Sequence, residues 1–328
     1  TTPWNIFTLQ HFGRSGTGLL HSLIDNHSEL ITLPSIYFSQ FFHYSIWKQI
    51  TKDGWSALTD YFILEYPVLF DARASKPVKS KASKEIGYLG QKEGMSNVGE
   101  NRDEYLFVDK TLFRKSLIRE LSCYESMDPY TFFKLVHIAF DEALGNHFKR
   151  GHIFYHIHNP DDYAKLNFLN FAPKSQWIVM VREPLQSCES WIRSVFFNND
   201  YDQVTTRIAT MLFDIDDIVF QKQNSIGVRL EDLIESPKRT IPALCKWMGI
   251  KEETSLYQMT AQGKKWWGDP SSPEFEKQGQ NAFEKSSITR KVGTIFSEND
   301  QLILRTLFYP FNVRFGYQEA NPTMFKKN

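Results

Sequence analysis

Net charge, cysteine and long hydrophobic runs are all scarce in this sequence of 328 residues. Its 38 Lys and Arg residues balance 38 Asp and Glu residues, so no overall charge attracts a polyanion, and we expect no nucleic-acid partner. The longer apolar stretches are broken by Lys134 and His137 or end at Arg182. They fall short of the roughly 18 apolar residues that a membrane span needs, and we expect no membrane span in this chain.

The three cysteines, Cys123, Cys188 and Cys245, are an odd number without metal-ligand spacing. They favour a reducing compartment, and hence the cytoplasm, over a secreted protein. The chain begins at Thr1 rather than at a methionine. A luminal Golgi catalytic domain whose anchor has been removed is therefore the alternative.

Short apolar segments alternate with segments of helical periodicity. Strands are predicted at residues 4–10, 105–110, 152–158, 176–182 and 225–230. Helices are predicted after the first strand and at residues 35–50, 55–66, 130–147, 184–198, 203–223, 237–248 and 297–308. This alternation predicts an α/β fold with a central parallel sheet and helices on both faces.

No internal repeat or domain boundary is evident, so the sequence predicts one domain over residues 1–328. Two irregular polar segments, residues 71–102 and 254–288, interrupt the alternation. We expect them to form lid loops or loops on the side of the substrate, because variable specificity is usually carried by loops.

A glycine-rich turn follows the first strand and precedes a helical pattern. It consists of Gly13, Arg14, Ser15, Gly16, Thr17 and Gly18. Such a turn can direct backbone N–H groups into one concavity beside a helix N-terminus, which is typical of a phosphate site. It matches neither GxxxxGK[ST] nor GxGxxG, and by itself it is equally consistent with a structural tight turn.

The loop resembles that of the PAPS-dependent sulfotransferases, whose donor is 3′-phosphoadenosine 5′-phosphosulfate (PAPS). Their loop commonly reads [RK]SGT and binds the 5′-phosphosulfate. Residues 14–17 read RSGT. The second signature of the family is an Arg that ends a central strand and a Ser eight positions later, which hold the 3′-phosphate. Arg182 and Ser190 match this pair.

Further similarities are "VDKT" at residues 108–111, and "VRLEDLIESP" at residues 228–237 followed by "LCKWMGI" at residues 244–250. The resemblance extends over residues 5–249, with a weaker tail to residue 317. It implies a three-layer P-loop-like fold. It also implies transfer of a sulfuryl group from PAPS to a hydroxyl or amine of a small-molecule, carbohydrate or lipid acceptor, with release of 3′-phosphoadenosine 5′-phosphate (PAP). A small-molecule kinase and a non-catalytic nucleotide-binding or scaffold protein are the alternatives.

The resemblance implies that two groups of residues bind the donor. The first is the loop, Gly13 to Gly18. The second holds the 3′-phosphate and comprises Arg182, Ser190, Arg290 and Lys291, the last two from the basic turn "ITRKVG". Solvated surface charges are the alternative for this turn, and a surface ion pair with Glu183 or Glu189 is the alternative for Arg182.

Three residues are predicted to act in catalysis: Arg14, Lys110 and His158. Arg14 and Lys110 would stabilise charge on the transferring group, and with the loop amides Arg14 would replace a metal, so no metal is expected. The segment "YHIHNP" resembles the turn that carries the catalytic base in cytosolic relatives, which assigns that role to His158. His156 lies on the same face of the strand.

Asp109 and Glu65 are the alternative bases, because other branches of the family use a carboxylate. The remaining candidates concern the acceptor. Trp266 and Trp267 in "KKWWGDP" are predicted to stack on it, with burial as the alternative, and Asp109 is a further acceptor-binding candidate.

Overall fold

Five parallel strands form the central sheet, in the order β2-β3-β1-β4-β5, and helices flank it. The strands are β1 (Asn5–His11), β2 (Leu30–Thr32), β3 (His152–His156), β4 (Gln176–Val181) and β5 (Ser225–Arg229). This computed structural model describes residues 5–34, 38–74, 94–146, 150–158, 162–270, 275 and 281–321. The predicted α/β parallel fold is confirmed.

Thirteen α-helices lie in the described part of the chain. They are α1 (Thr17–Ile24), α2 (Tyr44–Ile50), α3 (Trp55–Glu65), α4 (Pro67–Phe70), α5 (Lys110–Leu121), α6 (Pro129–Ala143), α7 (Asp162–Phe171), α8 (Pro184–Phe197), α9 (Tyr201–Asp214), α10 (Leu230–Glu235), α11 (Pro237–Met248), α12 (Glu298–Leu307) and α13 (Tyr309–Arg314). None of these helices is long and apolar enough to cross a membrane.

The strand order reverses between β1 and β4. Within the sheet, β2 and β3 lie on one side of β1, and β4 and β5 lie on its other side. Ligands of open α/β sheets bind beyond the carboxyl ends of the strands at such a switch point. A ligand site is therefore expected at the segments that follow β1 and β4.

The chain comprises two compact units, each made of separate stretches. The first contains Thr1–Leu9, Gly18–Gln176 and Ile241–Ala282. Its core is rich in phenylalanine: the rings of Phe38 and Phe133 stack at 5.6 Å between centroids, and both are fully buried. Burial of each such side chain contributes about 1.5 to 3 kcal/mol.

The second unit contains Gln10–Thr17, Trp177–Thr240 and Phe283–Asn328. Within it, Phe12 stacks on Phe311 with 3.8 Å between ring centroids. Phe12 also donates its backbone N–H to Met180 O at 3.1 Å. These contacts fix the start of the glycine-rich loop against β4.

Four of the five predicted strands are confirmed, and the strand predicted at residues 105–110 is wrong. Leu106 and Val108 are buried and Phe107 is exposed, so the alternation is real. However, the Leu106 and Val108 N–H groups bond to Met95 O and Phe70 O, outside the central sheet. The alternating pattern arises because an extended segment lies on the core without joining the sheet. The short β2 was not predicted, since three residues carry no clear periodicity.

Two predicted helices are shorter than expected. The helix predicted at residues 203–223 is divided into α9 and a 3-10 helix, Ile218–Gln221. The break falls where the Asp217 side chain accepts the Val219 N–H at 2.9 Å and caps the second helix. The helix predicted at residues 35–50 is present only from Tyr44, and residues 35–37 lie outside the described residues. Parts of the two irregular segments, 75–93, 271–274 and 276–280, also lie outside them.

Candidate functional site

The loop between β1 and α1 turns at two glycines. Gly13 has a φ of 58° and Gly16 a φ of 85°, a region that side chains with a Cβ rarely adopt. A Cβ on Gly16 would lie 2.6 Å from Leu230 Cδ1, and one on Gly13 would overlap Ser187 Oγ. Both positions therefore require glycine. The turn ends where α1 begins, at the positive end of the helix dipole.

Side-chain hydrogen bonds hold this loop on its buried side. The Ser15 Oγ accepts the Phe12 N–H at 3.2 Å, and the Ser187 hydroxyl donates to Phe12 O at 3.0 Å. Ser15 is 1% exposed and Thr17 is 7% exposed, whereas the neighbouring Arg14 is exposed. The loop thus presents one cationic side chain beside its backbone amides.

Arg182 follows β4 and is 5% exposed. Its Nη2 donates to Ser287 O at 2.6 Å and to Gln186 Oε1 at 3.2 Å. Its Nε is buried and has no hydrogen-bond acceptor among the described residues. Arg182 is therefore not in a surface ion pair: the Glu183 side chain instead caps α8, and the Glu189 carboxylate binds backbone N–H groups. A buried guanidinium with an unused donor fits an anionic ligand.

Neighbouring cations reinforce this electrostatic environment. The pKa of Arg182 falls to about 10 because burial disfavours its charge. The carboxylates of Glu231 and Glu183 oppose this shift, whereas the guanidinium groups of Arg290 and Arg14 lower the pKa further. Arg182 is still protonated at neutral pH. Three guanidinium groups and two carboxylates therefore act on one region, which leaves a net positive charge for an anionic ligand.

A pocket lies beside the side of α8 that carries Ser190. Its lining residues are Gln186, Glu189, Ser190, Arg193, Arg290, Lys291 and Val292. The structure thus brings together Ser190 and the two basic residues of the late turn, which are far apart in sequence. Three cations line this pocket with one carboxylate, an excess of positive charge that favours phosphate.

The pattern of the sulfotransferase family matches residues 12–254 of this chain. The match includes the glycine-rich loop from Phe12 onward, Arg182 and Ser190. The chain belongs to the sulfotransferase family. Family membership implies a sulfuryl-transferring enzyme. It also confirms the resemblance drawn from the RSGT loop and the Arg182 and Ser190 pair. Arg290 and Lys291 lie beyond the matched residues.

Several solved structures are similar to this sulfotransferase. A sulfotransferase domain of the olefin synthase of Synechococcus PCC 7002 is 15% identical, with a TM-score of 0.47, over 94% of this chain and 97% of that one. A domain from the curacin biosynthetic pathway is 15% identical, with a TM-score of 0.48, over 94% and 98%. A sulfotransferase from Mycobacterium avium is 10% identical, with a TM-score of 0.44, over 98% and 78%. No curated protein matches the sequence.

The catalytic candidates other than Arg14 lie in the first unit of this sulfotransferase. His158 follows the end of β3 by two residues, and its backbone N–H donates to Ser39 Oγ at 2.7 Å. Its ring lies 5.5 Å from that of His156, edge to face. The alternative base Glu65 ends α3 and accepts Gln49 Nε2 at 2.7 Å.

Asp109 and Lys110 are not at the end of a strand. Asp109 is the N-cap of α5, and its carboxylate accepts the N–H groups of Thr111 at 2.7 Å and Leu112 at 3.2 Å. Lys110 is the first residue of that helix, and both side chains are exposed. These residues were expected to lie at the carboxyl end of the strand predicted at residues 105–110, which does not form. The catalytic role of Lys110 and the catalytic and acceptor-binding roles of Asp109 remain predictions.

The two tryptophans occupy different environments. Trp266 is 6% exposed, and the nearest approach of a Cβ placed on Gly18 would be 3.6 Å to its ring. Trp267 donates Nε1–H to Gly99 O at 2.7 Å, and the Arg102 guanidinium lies 4.4 Å from its ring centroid. Trp266 is thus a core residue, and the acceptor-binding role of both remains a prediction.

The sequence did not assign four residues of the pocket to the site: Gln186, Glu189, Arg193 and Val292. Gln186, Ser190 and Arg193 follow one another at four and three positions along α8 and so share one side of the helix. That spacing was readable once Ser190 was assigned. Among the described residues, no group of three or more His, Cys, Asp and Glu side chains is arranged to hold a metal.

Proposed function

We propose that this sulfotransferase uses PAPS as its donor and transfers the sulfuryl group to an acceptor hydroxyl or amine. The observation that carries the proposal is the buried Arg182, whose Nε has no acceptor among the described residues and whose neighbours include other guanidinium groups. A donor with anionic groups at its 3′ and 5′ positions needs two anion sites. The second unit offers the glycine-rich loop for one and the basic pocket for the other.

The residues present fit a bound PAPS. The backbone amides of the loop would hold the 5′-phosphosulfate, in a turn whose positive φ angles at Gly13 and Gly16 need glycine. Arg182, Ser190, Arg290 and Lys291 would hold the 3′-phosphate, because they surround one pocket or adjoin it through Gln186. Charge-assisted hydrogen bonds of this kind contribute about 1.5 to 3 kcal/mol each.

Arg14 is proposed to stabilise the negative charge that develops on the phosphosulfate bridge as the sulfuryl group leaves. As a guanidinium it stays protonated, so it acts electrostatically rather than as an acid. His158 is proposed to accept the proton of the acceptor, since a neutral imidazole can serve as a base near pH 7. The site is proposed to work without a metal.

Isothermal titration with PAP, adenosine 5′-phosphosulfate and ATP tests the donor. We expect PAP to bind about tenfold to a hundredfold more tightly than adenosine 5′-phosphosulfate, because only PAP places a phosphate against Arg182. A preference for ATP would support the kinase instead. Indifference to the 3′-phosphate would contradict the proposed donor.

Transfer of radiolabelled sulfate from PAPS into a panel of phenols, alcohols, saccharides, amines and lipids tests turnover. A labelled product identified by mass analysis would establish the acceptor class. Tight PAP binding with no labelled product from this panel or from a cell extract would favour the non-catalytic nucleotide-binding protein.

A further inference from the structure

The basic turn near Arg290 is held at its start by Arg182 and at its end by Glu189 of α8. We define the late basic loop as residues 287–294. At its start, Ser287 O accepts Arg182 Nη2–H at 2.6 Å. At its end, the Glu189 carboxylate accepts the Gly293 N–H at 2.9 Å through Oε2 and the Thr294 N–H at 3.1 Å through Oε1. Arg290 and Lys291 lie between these two attachments.

Glu189 is the one acidic residue among the described residues that line the pocket. It immediately precedes Ser190, is 5% exposed, and lines a pocket whose other charged residues are cations. A carboxylate inside a phosphate pocket repels phosphate, so its presence there calls for a structural role. Its two oxygens accept two backbone N–H groups of one loop, which offsets the cost of burying its charge.

We infer that Glu189 is a positioning residue: it fixes the late basic loop so that Arg290 and Lys291 face the 3′-phosphate. The inference rests on the proposed function for the identity of the ligand. Without the two hydrogen bonds the end of the loop would lose its attachment to α8, and binding would have to pay for ordering it. Arg290 and Lys291 would then no longer be held in position to contact the 3′-phosphate.

The variant Glu189→Gln tests this role at nearly constant side-chain volume. Its amide has one oxygen acceptor and an NH₂ group that opposes a backbone donor, so the paired attachment is lost. We expect PAP affinity to fall about tenfold, because the lost order of the loop outweighs the repulsion that removal of the carboxylate relieves. The affinity for adenosine 5′-phosphosulfate, which lacks the 3′-phosphate, should change less than about threefold. Glu235→Gln is the matched control, because Glu235 is an exposed acid at the end of α10. It should change neither affinity.

Hydrogen exchange gives a readout that needs no ligand. In Glu189→Gln the amides of Gly293 and Thr294 should exchange at least about tenfold faster than in the parent, while the amides of β4 keep their protection. Retained protection in β4 shows that the variant is folded. Unchanged exchange at Gly293 and Thr294, or an unchanged PAP affinity, would overturn the inference.

The two proposals fail in distinguishable ways. If the parent protein binds PAP no better than adenosine 5′-phosphosulfate, the proposed donor is wrong, whatever the variant does. If the parent shows the expected preference and Glu189→Gln keeps it, the donor stands and the role of Glu189 is wrong.

Discussion

Arg182 has a buried charge, and its Nε–H has no hydrogen-bond acceptor among the described residues. Substitution of Arg182 should therefore weaken PAP binding more than substitution of a surface cation. Arg182→Met replaces the aliphatic part of the side chain with an unbranched apolar one and removes the guanidinium charge and its hydrogen-bond donors. We expect PAP affinity, measured by titration calorimetry, to fall tenfold to a hundredfold, because a charge-assisted hydrogen bond contributes about 1.5 to 3 kcal/mol.

The matched control is Arg239→Met. The Arg239 side chain is 75% exposed and lies 3.6 Å from the Asp232 carboxylate, an exposed ion pair of little energetic value. It should leave PAP affinity unchanged. An Arg182→Met variant that binds PAP within about threefold of the parent would show that the 3′-phosphate does not contact this residue.

The proposed role of His158 as the general base can be tested by substitution. A general base contributes roughly a hundredfold to ten-thousandfold in rate. His158→Ala should therefore lower turnover at saturating PAPS by at least about a hundredfold and leave PAP affinity nearly unchanged. His152→Ala, at the amino end of the same strand, is the control. Turnover of His158→Ala within about fivefold of the parent would transfer the role to a carboxylate, Asp109 or Glu65.

The glycine-rich loop allows a test at the scale of an element, because its glycines differ in what surrounds them. Gly16 has a positive φ, and a Cβ there would lie 2.6 Å from Leu230 Cδ1. Gly18 has no positive φ, and a Cβ placed there would lie 3.6 Å from the Trp266 ring, an ordinary van der Waals contact. Gly16→Ala should therefore distort the loop and lower PAP affinity at least about tenfold, whereas Gly18→Ala, which keeps the backbone N–H, should bind within about threefold of the parent. Equal losses in both variants would mean that backbone conformation is not the cause.

At the scale of the whole molecule, a buried histidine makes stability depend on pH. His137 in α6 is fully buried, and Nδ1 lies 2.7 Å from Phe133 O. Burial lowers its pKa to about 4 from a model-compound value of 6.5. The unfolded chain therefore binds more protons than the native protein between these pH values, so stability is lost as pH falls through that window.

Urea unfolding at pH 7.5 and pH 5.0 measures this effect. A gap of 1.5 units between pH 5.0 and the unfolded pKa corresponds to about 2 kcal/mol. The parent should lose about that much more stability than His137→Leu between the two pH values. The same loss in both proteins would show that His137 is not the group responsible.

The sequence alone determined the family and the donor candidates of the second unit. The RSGT turn is a local signature, since its glycines are required by the backbone conformation of a few consecutive residues. The spacing of Arg182 and Ser190 is fixed by the strand end and two turns of one helix. The strands at β1, β3, β4 and β5 were also predictable, because buried parallel strands read as short apolar runs.

Contacts between distant parts of the chain decided the rest. Residues 105–110 alternate like a strand, and only their partners, Met95 and Phe70, reveal that they lie outside the sheet. Glu189 has no local pattern that marks it, because its two hydrogen bonds reach a loop more than one hundred residues away. Hydrogen-bond partners at that separation are set by how the chain folds back on itself, which periodicity along the sequence does not record.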